Sequence, residues 1–236
     1  MTKENLNKLM SLTSKYESNG DPSMVSSGIG DVGGISYGCY QFASNIGTVN
    51  KFIDWLCQYQ NKSLANYGIV LKQNYPINSN NFINTWKYLG TVDPGNFKML
   101  QDEFVLNQYY YPLFQRFQAK YFNIDKHSLA MKAVIISRSI QNGPTGCINL
   151  TELACTEMLE YQNLSYVDDK YFDDQLIEAI YDFLIEECDN VYYDSYYGYY
   201  QSPYKFCHGS RSVIYGLKNR FIHEKRDALN LLIEIE

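Results

Sequence analysis

Apolar residues recur every three to four positions along most of the chain, and this pattern predicts a largely helical protein. In the first helix, Leu6, Met10, Thr13 and Glu17 fall on one face. Further helices are predicted over residues 46–59, 63–71, 82–90, 96–121, 128–140, 150–164, 173–188 and 212–235. The helix over 128–140 is apolar around nearly its whole circumference, so we expect it to be buried at the centre.

Glycine and proline mark the breaks between these helices. The run Asn-Gly-Asp-Pro at 19–22 ends the first helix directly after Glu17. Gly90 is expected to close the helix over 82–90, and the Asp-Pro-Gly run at 93–95 predicts a turn. Pro112 is expected to bend or restart a long helix, and Gln-Asn-Gly-Pro at 141–144 is a strong stop.

One stretch departs from the helical period. Glycines at positions 28, 30, 33 and 34 surround Asp31, and the alternating residues Ile35, Tyr37 and Cys39 follow. This pattern is typical of a glycine-rich β-hairpin. The architecture expected is mostly helical, with one small hairpin.

Two carboxylates near this hairpin suggest acid–base chemistry. Glu17 lies in a last helical turn on an apolar face, where burial and the negative end of the helix dipole both oppose ionisation. A carboxyl group kept protonated is a general acid. Asp31, among glycines in a polar stretch, is expected to be solvated and ionised as a base, and this pairing is what glycoside hydrolysis requires. Asp21 is a rival base, but its place before Pro22 favours a structural turn.

Composition narrows the function classes further. The 236 residues are 45% hydrophobic, enough for a sizeable core, and the net charge of -6 argues against a general nucleic-acid or anionic-membrane binder. No apolar run approaches about 18 residues, so no membrane insertion is expected. The start of the chain carries no apolar signal core.

The six cysteines form no CxxC pair and share no ligand-like spacing with the three histidines. We therefore expect buried free thiols, no metal site and no cofactor. A cysteine peptidase or amidase using Cys207 and His208 is disfavoured, because adjacent residues rarely converge on one substrate atom. A run at 192–204 holds seven tyrosines and is predicted to be a loop that either stacks on sugar rings or closes over the core.

The residues at 17–41 also carry a family resemblance. The runs Glu-Ser-Asn-Gly-Asp-Pro at 17–22, Ser-Ser-Gly at 26–28, Gly-Asp at 30–31, Gly-Gly at 33–34, Ser-Tyr-Gly at 36–38 and Tyr-Gln at 40–41 resemble lysozyme-like peptidoglycan muramidases of the chitosanase-related group. Such domains occur in phage endolysins and on some type VI secretion spike proteins. Later helical blocks follow the family order, so the resemblance covers almost the whole chain.

The resemblance implies a single catalytic domain over residues 1–236, with an α+β, predominantly α-helical, lysozyme-like two-lobed fold and a small β-hairpin beside the active-site cleft. Glu17 would protonate the leaving glycosidic oxygen, Asp31 would activate water, and Ser36 would help to hold that water. The reaction would invert the anomeric carbon at the β-1,4 bond between N-acetylmuramic acid and N-acetylglucosamine. The candidate substrate contacts are Tyr37, Gln41, Arg138, Gln141, Tyr196 and Tyr197.

The expected partner is bacterial peptidoglycan, bound by a monomer without a cofactor or nucleic acid. The chain would be made in the cytoplasm without a signal peptide and would reach the wall by holin-type release or particle delivery. It lacks the basic surface common among lysozymes, so any attraction to an anionic polymer would depend on a few cations. These are Arg116, Lys120, Arg138, Lys205 and Arg211.

Three alternatives stay open at the level of sequence. The run at 17–22 also resembles the start of lytic transglycosylases, which use a lone glutamate and leave 1,6-anhydro ends, although the second carboxylate disfavours this class. A chitosanase of the same fold would suit an acidic chain, because its substrate is polycationic. A non-catalytic wall-binding or phage-tail component could keep only the lysozyme-like shell.

Overall fold

The computed structural model describes residues 3–28 and 33–233, and in this part of the chain helices greatly outweigh strands. This confirms the predicted α+β, predominantly α-helical class. The α-helices are α1 (Lys3–Ser18), α2 (Thr48–Cys57), α3 (Lys62–Gln73), α4 (Asn80–Val92), α5 (Pro94–Val105), α6 (Tyr111–Gln118), α7 (Leu129–Leu153), α8 (Asp173–Asp189) and α9 (Arg211–Ile233). The strands are β1 (Ser36–Tyr37), β2 (Phe42–Ala43), β3 (Tyr192–Asp194), β4 (Tyr199–Gln201) and β5 (His208–Gly209). No helix in the described ranges is long and apolar enough to cross a membrane.

The chain folds into two compact units. The first, here called the hairpin unit, comprises Thr13–Gln108 and contains the antiparallel β1–β2 pair. The second, here called the C-terminal unit, comprises Met1–Leu12 together with Tyr109–Glu236.

Aromatic rings form the core of the hairpin unit. Phe52 of α2 lies 5.2 Å from Phe104 of α5, and Trp86 of α4 lies 5.1 Å from Phe97, measured between ring centroids. Phe42 of β2 packs on Phe52 at 5.1 Å. All five side chains are buried, and each contributes about 1.5–3 kcal/mol through removal from water. The small hairpin is therefore held by the helices beneath it.

The junction between α4 and α5 differs from its prediction. Helix α4 does not close at Gly90 but continues to Val92, and the predicted turn at 93–95 is the beginning of α5. Asp93 caps α5 by accepting a hydrogen bond from the peptide N–H of Asn96 at 3.3 Å. Gly90 is instead a packing residue, because a Cβ there would lie 2.5 Å from Cα of Ser23.

In the C-terminal unit, α8 packs along α9, and α7 contacts both. Helix α7 is buried along most of its first half, as its apolar sequence predicts. The predicted stop at 141–144 is confirmed as a break, since Gly143 has φ 70° and ψ 166° inside an otherwise helical run. The helix then resumes and ends at Leu153, followed by a π-helical turn, instead of running to residue 164.

The segment predicted as a tyrosine-rich loop contains a second sheet. Strands β3, β4 and β5 pair antiparallel in that order, with Tyr193 opposite Tyr200 and Gln201 opposite His208. The expectation of one small hairpin was therefore wrong. Each of β3 and β4 begins with two consecutive tyrosines, which have high strand propensity, and this outweighs the loop signal of the glycine and serine between the strands.

Candidate active site

Glu17 lies in the last turn of α1, as predicted, and its side chain is half-buried. The helix ends because Asn19 and Gly20 adopt left-handed backbone conformations, with φ of 57° and 77°. The peptide N–H of Gly20 donates to the carbonyl of Ser14 at 2.9 Å and so satisfies one of the carbonyls at the helix end. The position of Glu17 is thereby set by the helix termination itself.

The end of α1 is fastened to the turn between β1 and β2. The Ser18 hydroxyl donates to the carbonyl of Cys39 at 3.0 Å, and the Cys39 thiol donates to the carbonyl of Gly20 at 3.4 Å. Cys39 is fully buried, and burial raises its pKa to about 12, so the thiol stays protonated and serves as a donor. These contacts hold the helix end that carries Glu17 against the hairpin.

The chain after α1 runs along this hairpin. Asp21 accepts hydrogen bonds from the peptide N–H and the hydroxyl of Ser23, at 2.8 and 2.7 Å, which is the turn role predicted for it. The peptide N–H of Gly38 donates to the carbonyl of Met24 at 2.8 Å. The segment therefore lies beside β1 and pairs with it through a single antiparallel bridge between Val25 and Tyr37.

Ser36, the predicted water-holding residue, is buried in β1. Its carbonyl accepts from the peptide N–H of Ser26, and its own peptide N–H donates to the Ser26 hydroxyl, both at 2.9 Å. These hydrogen bonds fix the backbone of Ser36 in β1. The turn between β1 and β2 is the part of the same sheet that contacts the end of α1.

Asp31 lies in residues 29–32, outside the described residues, so its role as base stays a prediction. The residues that flank this stretch are described. Gly28 and Gly34 have φ of 65° and 76°, and a Cβ on Gly28 would lie 2.9 Å from the peptide nitrogen of Ile35. The two ends of the segment that carries Asp31 are therefore in contact, and Gly28 permits this close approach.

Gln101 and Trp86 tie the site to the core of the hairpin unit, and the sequence analysis did not single them out. The Gln101 amide accepts from the peptide N–H of Cys39 at 2.7 Å and donates to the carbonyl of Pro22 at 3.1 Å. The Trp86 indole N–H donates to the same carbonyl at 3.0 Å. A signal was present, because Gln101 is a polar residue on the apolar face that Phe97 also occupies.

A buried ionic group supports the same turn. The Tyr40 hydroxyl donates to Asp102 Oδ1 at 2.6 Å, and Lys98 Nζ lies 2.8 Å from Asp102 Oδ2. Burial raises the pKa of the Asp102 carboxyl, while the Lys98 ammonium opposes that rise. Tyr40 follows Cys39 directly, so this network fixes the hairpin turn from a second side.

Two of the predicted substrate contacts lie within the hairpin itself. Tyr37 has no exposed surface, and its hydroxyl donates to Asn78 Oδ1 at 2.9 Å. Gln41 is half-buried, has φ of 50°, and donates through its amide to the carbonyl of Gly38 at 3.1 Å. Tyr37 is therefore a core residue without the free face that substrate contact requires, and Gln41 stabilises the β1–β2 turn.

Arg138 is also buried and is used structurally. Its Nη2 lies 2.6 Å from Glu224 Oε2, and Nη1 donates to Gln141 Oε1 at 2.6 Å. The guanidinium lies 5.3 Å from the ring centroids of both Tyr181 and Phe221. With 1% of its surface exposed, Arg138 offers no charge to a ligand, and its observed role is the buried ion pair with Glu224.

Gln141 lines a cavity of about 530 Å³ in the C-terminal unit, whose walls are partly polar and partly apolar. The lining residues are Gln141, Asn142, Gly146, Asn149, Tyr204, Lys205, Phe206, His208, Val213 and Leu217. The Asn142 amide nitrogen is buried and has no hydrogen-bond partner within the described part of the chain. Amides, a lysine and two aromatic rings are groups that bind an amide-bearing polar ligand.

Tyr196 and Tyr197 lie in the turn between β3 and β4, where 87% and 54% of their surfaces are exposed. The turn is ordered by Asp194, whose carboxylate accepts from the peptide N–H of Tyr196 at 2.9 Å. These rings have the free faces that stacking on a sugar needs.

Cys207 and His208 do not form a nucleophilic pair. Cys207 is fully buried, and its thiol faces the thiol of Cys188. The contact with Cys188 and burial raise the pKa of Cys207, so it is not an activated thiolate. Among the side chains described, no cluster of three or more histidine, cysteine, aspartate or glutamate residues is placed to hold a metal ion.

Comparisons with known proteins agree on one family. Residues 9–225 match the family described as type VI secretion system spike protein VgrG3-like, C-terminal. The type VI secretion system spike protein VgrG3 of Vibrio cholerae serotype O1 (strain ATCC 39315 / El Tor Inaba N16961) is 28% identical over 221 residues. The match covers 93% of this chain but 18% of that relative. The chain therefore belongs to the VgrG3-like C-terminal family of type VI secretion system spike proteins.

Proposed function

We propose that this domain is a glycoside hydrolase that cleaves the glycan strand of bacterial peptidoglycan. The observation that supports this best is Glu17, half-buried in the last turn of α1, where Ser18 and Gly20 both bond to Cys39 in the hairpin turn. A carboxyl group on a helix end that is fixed in this way suits the role of a general acid, which delivers a proton to a leaving oxygen. The family match includes the whole of this arrangement.

In the proposed reaction Glu17 protonates the oxygen between N-acetylmuramic acid and N-acetylglucosamine. Asp31 takes a proton from a water molecule, which attacks the anomeric carbon from the opposite face, and Ser36 holds that water. Inversion of this kind requires the two carboxyl groups to be about 6.5–9.5 Å apart.

Two surfaces of the C-terminal unit are proposed to contact the glycan. Tyr196 and Tyr197 present open aromatic faces, and the cavity with Gln141 offers amides that suit the N-acetyl groups of the substrate. Lys205 in the same cavity supplies a positive charge for the carboxylates of the wall polymer. We propose delivery of the domain as part of a secretion spike, in line with its family.

The test is product analysis on purified peptidoglycan with Glu17→Gln beside the wild type. Loss of a general acid reduces the rate by about 10²–10⁴-fold. Glu178→Gln, on an exposed face of α8, is the matched control and should retain full activity. Reducing-end muropeptides from the wild type support hydrolysis, whereas only 1,6-anhydro ends would assign the domain to the lytic transglycosylases.

Two further outcomes would change the proposal. Preferred cleavage of chitosan would replace the substrate, since the fold and the acid would be the same. Binding to peptidoglycan without cleavage, unaffected by Glu17→Gln, would make the domain a non-catalytic component of the spike.

A further inference from the structure

Two buried cysteines in the C-terminal unit face each other. Cys188 lies in the last turn of α8, Cys207 directly precedes β5, and their Sγ atoms are 2.8 Å apart. The exposed fractions of the two residues are 5% and 0%. The Cys207 thiol also lies 3.8 Å from the carbonyl of Leu184. The thiols of Cys39, Cys147 and Cys155 each donate to a backbone carbonyl as well, but among the described residues the structure gives none of these three a second thiol as a partner.

The positions of both thiols are set by hydrogen bonds that do not involve sulfur. Glu187, next to Cys188, accepts from the hydroxyl of Ser202 and from the peptide N–H of Tyr204, the latter at 3.1 Å. Ser202 in turn accepts from the peptide N–H of Cys207 at 3.1 Å and donates its own peptide N–H to the Cys207 carbonyl at 2.8 Å. The chain at 202–207 is therefore fixed on the last turn of α8.

We propose that Cys188 and Cys207 are a redox-responsive pair that forms an intrachain disulfide when the protein meets a disulfide oxidant. The bond would close a loop over the 19-residue separation between them, and this loop contains all of β3 and β4. It would pin the base of the tyrosine-rich hairpin to α8. A sulfur–sulfur bond of about 2.05 Å needs an approach of less than 1 Å from the positions seen here.

The chemistry balances with glutathione disulfide as the oxidant. Cys188 gives its thiol proton to water, and its thiolate attacks one sulfur of glutathione disulfide, breaks that S–S bond and releases one glutathione thiolate. Cys207 then gives its proton to water, attacks the Cys188 sulfur and releases the second glutathione thiolate. The two cysteines lose two electrons and two protons in total, and the oxidant gains the electrons.

Burial determines how this pair reacts. Cys188 is 5% exposed and Cys207 is 0% exposed, so Cys188 is the more accessible of the two residues to an oxidant. The contact with Cys188 and burial raise the pKa of Cys207, which slows its reaction until the loop opens. The rate of oxidation is therefore expected to depend on local opening of the 202–207 segment.

The experiment uses the full chain, incubated in glutathione disulfide and then alkylated in denaturant. The intact mass before alkylation should be about 2 Da lower than that of the reduced protein, and a protease digest should join the peptides of Cys188 and Cys207. To remove the kinetic effect of burial, a second sample is refolded from urea in the same buffer. Cleavage by protease within residues 189–206 should be slower in the oxidised form.

Variants separate this bond from other oxidation. Cys57→Ser removes a half-buried thiol of α2, and this variant should show the same mass decrease of about 2 Da on oxidation as the wild type. Cys188→Ala and Cys207→Ala should each acquire glutathione at the remaining partner and form no internal bond. The proposal is overturned if both thiols of the wild type are still alkylated after refolding with glutathione disulfide, or if the digest joins other cysteines.

Discussion

Replacing one partner of the buried ion pair between Arg138 and Glu224 should cause a large loss in the free energy of unfolding. Both side chains are almost fully buried, at 1% and 0% exposure. Glu224 also accepts from the hydroxyl of Ser137 and lies 3.4 Å from Nε of Arg220. Glu224→Gln keeps the shape of the side chain but leaves the Arg138 guanidinium charged and without its counter-charge in the core.

The magnitude follows from burial. Removing one partner of a buried ion pair costs about 3–5 kcal/mol, because the desolvated charge that remains has no compensation. For a chain of this length each kcal/mol corresponds to about 2–4 °C in Tm, so Glu224→Gln should lower Tm by about 6–20 °C. The matched control is Glu152→Gln, whose pair with Lys120 has exposed fractions of 33% and 48% and should be worth about 0–1 kcal/mol.

Scanning calorimetry of the two variants and the wild type measures the difference. The double replacement Arg138→Met with Glu224→Leu fills the same space without charge, so it should recover most of the loss. If Glu224→Gln lowers Tm no more than Glu152→Gln does, then Arg138 does not remain in the core as an uncompensated charge, and the prediction is wrong.

Two other predictions concern Gly38 and Tyr37 of the hairpin unit. Gly38→Ala and Gly198→Ala both force a side chain into φ near 73–74°, which costs about 1–2 kcal/mol. Gly38→Ala should cost clearly more in urea unfolding, because its Cβ would meet Gln101 at 2.2 Å while the space beside Gly198 is open; equal losses would contradict this. Burial raises the pKa of Tyr37 from 10.0 to about 12, so its contribution to stability is complete below pH 10 and falls by about 2 kcal/mol by pH 12. Tyr37→Phe, which also loses the bond to Asn78, should show a smaller alkaline decline in urea midpoint than the wild type, and identical slopes would refute the assignment.

Local signals predicted the helix end at the candidate site. Asn19 and Gly20 stop α1, and this places Glu17 without reference to the rest of the protein. Gly90 carries the same residue signal but has another cause, the close approach of Ser23, which is distant in sequence. A glycine that ends a helix cannot be distinguished by type from one that admits a neighbouring backbone.

The predicted substrate contacts also divide into those whose exposure is set by local sequence and those that are buried by distant residues. Tyr196 and Tyr197 are exposed because their own turn presents them, whereas Tyr37 and Arg138 are buried by partners far along the chain. Pairing of Arg138 with a residue 86 positions away leaves no local pattern that sequence reading could use. The placement of Asp31 relative to Glu17 stays a prediction, because Asp31 lies outside the described residues.

The indole that donates to the Pro22 carbonyl gives the protein an internal optical reporter. The chain has two tryptophans, Trp55 and Trp86, and both belong to the hairpin unit. Fluorescence excited at the red edge of protein absorbance therefore comes from this unit alone, because the tyrosines of the C-terminal unit are not excited there. Trp86 is one hydrogen bond from the segment that leaves Glu17, so its spectrum is a direct means of following that segment when a glycan fragment is added.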